Sequence, residues 1–154
     1  MTKRIHFVAG LLATLCIACF LVSTVLVELL GSQAAVARLK SLIVMPGLWI
    51  LIPAIVATGG SGAYLGRSRS GRLVTSKRRR MPFIAANGLL VLLPCALVLD
   101  RWAAAGSFHT AFHALQLLEV LAGAVNLTLM GLNVRDGLRM TGRVGGRPTI
   151  ERSR

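Results

Sequence analysis

The hydrophobic positions of this chain fall into four long runs, roughly 7–30, 41–64, 82–99 and 109–133. Each has about the 17–25 residues that a helix needs to cross a bilayer. Inside lipid every backbone N–H and C=O must find its partner within its own segment, so helix is the expected state of all four. Short polar stretches join runs one to two and three to four, which makes those pairs antiparallel neighbours. The pattern predicts an all-α fold: a four-transmembrane-helix bundle running up, down, up and down over residues 1–139. The stretch 140–154 is rich in Gly, Arg, Ser and Thr and is expected to be a disordered basic tail.

The second run is the irregular one. Pro46 and Pro53 each remove a backbone hydrogen bond and should bend it. The TGGSG stretch at 58–62 should loosen its far end, and Gly62 and Gly66 are spaced for close helix packing. Pro82 suits the first turn of the third helix, where its missing N–H costs nothing. Lys3 and Arg4 precede the first run as they would in a signal peptide. Its apolar core of about twenty residues exceeds the 7–15 of a signal sequence, so it is expected to stay as an anchor.

Composition agrees with the pattern. Of 154 residues 55% are hydrophobic, and the mean hydropathy is +0.70, values of the membrane class. The net charge of +13 changes the picture through its placement. Of the 18 Lys and Arg residues, all but Arg38, Lys40 and Arg101 lie at the N-terminus, in the 67–80 stretch RSRSGRLVTSKRRR, or from Arg135 onward. That imbalance puts both termini and the 67–80 loop in the cytoplasm of a bacterial inner membrane, beside anionic lipid head groups. Trp102 and Phe108 then fall at the outer interface, where aromatic rings are favoured. No nucleic-acid-reading motif accompanies the charge, and nucleic acid is not an expected partner. Cys16 and Cys19 form a C-x-x-C deep in an apolar run and read as small packing residues. With Cys95 as the third cysteine, no disulfide framework is implied.

The fourth run carries the most informative side chains. Steps of three and four from His109 reach His113, Gln116, Val120, Gly123, Asn126, Met130 and Asn133, one face of a helix, with Glu119 on its edge. Glu119 lies about 15 Å along the helix from residue 109, near mid-membrane. A carboxylate there costs roughly 2.5–3.5 kcal/mol, so it should face the bundle. With no Lys or Arg assigned to its depth, it is expected to be uncharged, or bonded to Gln116, Asn87 or a hydroxyl. It then serves as glue between helices, or lines a proton, ion or ligand site.

The histidines suggest cofactors. His6 has Gly10 one turn along the same face, with Ala9 and Ala13 nearby, and small residues beside a membrane histidine let a flat macrocycle approach. His109 and His113 place two imidazoles on one face, half of a site for a divalent transition metal. Glu28 is the candidate third ligand, with Met45 as another.

Four helices with both ends inside and histidines near the membrane faces resemble membrane-embedded b-type cytochromes of the cytochrome b561 kind. The resemblance implies haem b held between helices. That family pairs histidines from two helices at each haem, whereas here each level has histidine on one helix only. A two-fold dimer would supply the matching His6 or His113 from its second copy. The stretches IAANGLLVLLPCALVL and LLEVLAGAVNLTLMGLNVRDGLRMTG also resemble small four-helix bacterial inner-membrane proteins of unassigned function. The leading expectation is therefore a small haem-b-binding protein for electron transfer or haem-linked redox sensing, with His6 and His113 as axial ligands and a homodimer as its form. One rival is a permease subunit or proton or ion conduit using Gln116, Glu119, Asn126, Asn133 and Asn87. Another is a non-catalytic assembly partner. No P-loop, H-E-x-x-H or G-x-S-x-G is present, so no enzyme signature supports a further class.

Overall fold

The computed structural model of the protein describes residues 2–67 and 72–140, and among these all regular structure is helical. Helix α1 spans Thr2–Leu30. A tight turn at Gly31 and Ser32 leads into α2, Gln33–Leu42. A π-helical turn at Ile43–Gly47 joins α2 to α3, Leu48–Gly66. After the basic loop come α4, Arg72–Asn87, a second π-helical turn at Gly88–Leu92, and α5, Leu93–Ala104. Helix α6 closes the bundle over Thr110–Met140. Four helical spans, two of them broken, are long and apolar enough to cross a membrane: Arg4–Leu30, Gln33–Leu65, Arg79–Ala104 and Thr110–Arg139.

The expected number of spans is found, but their bounds move outward. Helix α2 begins at Gln33 because Ser32 caps it, its hydroxyl accepting from the Ala35 N–H at 3.3 Å. The second span is thus longer than 41–64, and it takes in Arg38 and Lys40. Helix α4 begins ten residues before Pro82, so that proline sits inside a helix and not at its first turn. The TGGSG stretch does not loosen α3, which runs through it to Gly66. The segment 68–71 and the expected tail beyond Met140 lie outside the described residues.

Breaks in two spans set the architecture. In the second span Met45 leaves helical geometry (φ −135°, ψ 112°) just before Pro46. In the third, Pro94 offers no N–H to the Leu90 carbonyl, and the turn before it widens to π-helix. Helix α2 packs on α5, whereas α3 below the break packs on α1. Helix α4 packs on α6. The second and third spans therefore meet at the end of the bundle that holds the two tight turns, and diverge toward the end that holds the termini.

Two apolar clusters fill the interior. Val36, Cys95, Leu99, Ala103 and Phe112 fill the turn end, and Ala13, Ile17, Leu51, Ala54, Ile84 and Met130 the half toward the termini. Outward faces carry large apolar groups as well, among them Leu15, Trp49, Val56, Leu90 and Leu121. A protein surfaced by water would not carry so many.

Candidate functional site

Helix α6 supplies the spine of the site. Its stripe turns inward: Gln116, Asn126 and Asn133 are buried together with Met130, while Leu117 and Leu121 on the opposite face are exposed. From Gln116 onward these polar members are covered by the chain's own helices, whereas His109 and His113 at its start are exposed. The seam continues one step past its expected end, to Asp136, which is 2% exposed. Arg80 of α4 donates to the Asp136 carboxylate at 2.7 Å, and Arg135 approaches it at 3.7 Å. Asn87 donates to the Ala122 carbonyl at 2.9 Å, tying α4 to α6, and Asn133 lies 3.8 Å from the Met81 sulfur.

The principal correction concerns Glu119. A cation does reach its depth, because the Lys40 ammonium donates directly to the Glu119 carboxylate. Lys40 lies about 10 Å along α2 from Gln33, and Glu119 about 14 Å along α6 from Thr110, so the two meet at similar levels. Lys40 is 1% exposed and the Glu119 side chain 13%. A lone buried charge on either helix would be far costlier than the pair. Glu119 is thus not left to Gln116 or Asn87, as the sequence suggested.

Glu119 also borders a cavity of about 310 Å³. All four spans contribute to its wall: Ile17 and Phe20 from the first, Leu51 and Ile55 from the second, Ile84 and Leu92 from the third, Val120 and Gly123 from the fourth. Three lining residues are polar, Thr24, Glu119 and Asn126; every other one is apolar or glycine. The cavity lies where α3 and α4 diverge. Ile52, Val56 and Leu89 line it and are also exposed on the outer surface, so they form a lip that opens sideways. Asn126 is 1% exposed, and neither its amide nitrogen nor its oxygen meets a hydrogen-bond partner among the described residues. Gln116 is buried in the same unpartnered way. Gly88 lies against Asn126: a Cβ there would come within 3.8 Å of the amide nitrogen.

The predicted cofactor residues make the following contacts. His6 Nδ1 lies 3.1 Å from both the Thr58 carbonyl and the Ser61 hydroxyl of α3. A Cβ on Gly10 would meet the Thr58 side chain at 3.5 Å, so α3 packs beside Gly10. His113 Nδ1 meets the Glu28 carboxylate at 3.1 Å, which brings together two of the expected metal ligands. His109 does not join them. Its Nδ1 accepts from the Phe112 N–H at 3.0 Å, capping α6, and its ring packs edge-on to Trp102. Among the described residues no three of His, Cys, Asp or Glu converge as a metal site. Cys16, Cys19 and Cys95 are free thiols.

Sequence reasoning missed Lys40, Arg80, Asp136 and Thr24. One had a readable signal: Asp136 stands three residues after Asn133 on the same seam. Compared with known protein families, curated proteins and solved structures, the chain matches none.

Proposed function

We propose that the protein is a multi-pass membrane protein of permease type, which admits a small lipid-soluble molecule from the bilayer into the cavity between its second and third spans. The observation that carries this reading is the cavity itself. It is apolar, bordered by Glu119 of the buried Lys40–Glu119 pair, and lined by Asn126, whose amide has no partner among the described residues. Pockets of a few hundred Å³ with apolar walls and few polar groups are the usual form of a small-molecule site. Charged groups buried within a span are likewise most often functional.

Haem binding has less support. His6 and Gly10 face α3, and His113 lies toward the opposite end of the bundle beside Glu28. An ion path along α6 also has less, because Lys40 and Arg80 already hold Glu119 and Asp136, and Met130 interrupts the seam. Retention of a bound molecule through purification, and its loss on filling the cavity with Gly88→Leu, tests the reading.

The proposed setting is the bacterial inner membrane with both termini cytoplasmic. With Lys40 inside the bundle, the turn end keeps only Arg38 and Arg101 of the 18 basic residues, which sharpens the asymmetry. A green fluorescent protein fused after Arg154 should fluoresce in cells. A dark fusion, with an alkaline phosphatase fusion active at the same position, would reverse the orientation.

A further inference from the structure

We infer that the cavity takes an uncharged amphiphile whose head carries both a hydrogen-bond donor and an acceptor, such as a long-chain alcohol, a phenol or an amide. The inference rests on the ligand-binding reading above and specifies its ligand.

Three observations converge on this class. The first is charge. Among the described residues Glu119 is the one charged group that lines the cavity, and the Lys40 ammonium behind it offsets its charge. An ionic ligand would bring a third charge without a counter-ion into an apolar enclosure, where an unpaired charge is strongly disfavoured. A neutral ligand leaves the balance intact.

The second is the chemistry of Asn126. Its amide nitrogen is a donor and its oxygen an acceptor, and both lack a partner among the described residues. A buried polar group left unmade costs free energy, so a ligand that completes it gains from both atoms. A hydroxyl or an amide both gives and accepts a hydrogen bond. An ether or ester only accepts. Gly88 lies beside this amide, and a Cβ there would come within 3.8 Å of its nitrogen.

The third is shape. A volume of about 310 Å³ equals the liquid share of about ten waters. A methylene group takes up a similar space, so a chain of about ten carbons fills it. The lip at Ile52, Val56 and Leu89 faces sideways, toward where lipid chains would lie. A ligand entering there arrives from the bilayer with its tail still in an apolar surrounding.

The test uses the full-length protein in phosphatidylcholine liposomes and four photoreactive diazirine probes on one decyl chain. They end in a hydroxyl, a primary amide, a carboxylate and a trimethylammonium. Labelling is read by peptide mass spectrometry at Leu51 and Ile84, which line the cavity and are buried from the outer surface. The alcohol and amide probes should label these positions well above the two charged probes. Asn126→Leu, close in size to the native residue, should lower neutral-probe labelling by about tenfold, the equivalent of one or two lost hydrogen bonds. Gly88→Ala, which only overlays the amide, should lower it in the same direction and guards against a folding defect in the first variant. Charged probes labelling as strongly as neutral ones, or labelling indifferent to both variants, would overturn the ligand class and leave the cavity reading standing. No labelling of Leu51 or Ile84 by any probe would overturn both.

Discussion

Lys40 decides how the interior of this protein is understood. It sits in QAAVARLKSL, the least apolar part of its span, where the sequence alone suggests an exposed loop. The ion pair it makes is a liability as much as a support. Removing one partner strands a buried charge, at a cost of about 3–5 kcal/mol, whereas replacing both with apolar groups is often neutral or better. Lys40→Met should therefore lower stability strongly in a detergent-to-dodecyl-sulfate unfolding titration. The double variant Lys40→Met/Glu119→Leu should recover most of the loss. Equal loss in the single and double variants would mean that the pair is not the contact that matters. Glu119 itself was legible, because a carboxyl on an apolar helix has few reasons to be there except a buried contact. Its partner was not, because a lysine two residues after Arg38 and next to Ser41 has an ordinary explanation at a membrane edge. His6 shows the reverse case. It drew attention as a cofactor ligand, and its Nδ1 lies against the α3 backbone and hydroxyl, a contact that periodicity did not announce.

Helix α3 shows how one run of glycines divides into different roles. A Cβ on Gly62 would come within 3.0 Å of the His6 ring, whereas one on Gly59 meets nothing within 4 Å. Alanine is favoured over glycine inside a helix by about 0.5–1 kcal/mol. Gly59→Ala should thus raise the thermal midpoint in detergent, and Gly62→Ala should lower it by crowding α1. The same sign for both would contradict the close packing of α1 on α3. The number of spans and the polar face of α6 were readable from periodicity, since that stripe follows a strict three-and-four spacing; that it faces the chain's own bundle was not. Nor were the bounds of the spans. A serine cap extended α2 by eight residues beyond the apolar run, and the charged stretch before Met81 is helical although its composition reads as a loop. The break at Met45 followed from Pro46. Pro53, by contrast, stands inside a continuous α3.

The bundle as a whole joins these pieces into one consequence. Because the second and third spans break at Ile43–Gly47 and Gly88–Leu92, they touch at the turn end and part below it. The parting makes the cavity, and the seam of α6 gives it an ion pair on one side and an unpartnered amide on another. No single run of sequence encodes that arrangement, since its wall is drawn from all four spans. What periodicity supplied was the polar face; what it withheld was the gap in front of it. The most direct check is native mass spectrometry of the protein released from detergent micelles, with wild type and Gly88→Leu compared side by side. The account predicts a wild-type protein carrying a small neutral molecule that survives gentle activation, and a folded Gly88→Leu protein without it. Wild type and variant both free of any adduct, or both carrying the same one, would contradict a ligand seated between the second and third spans.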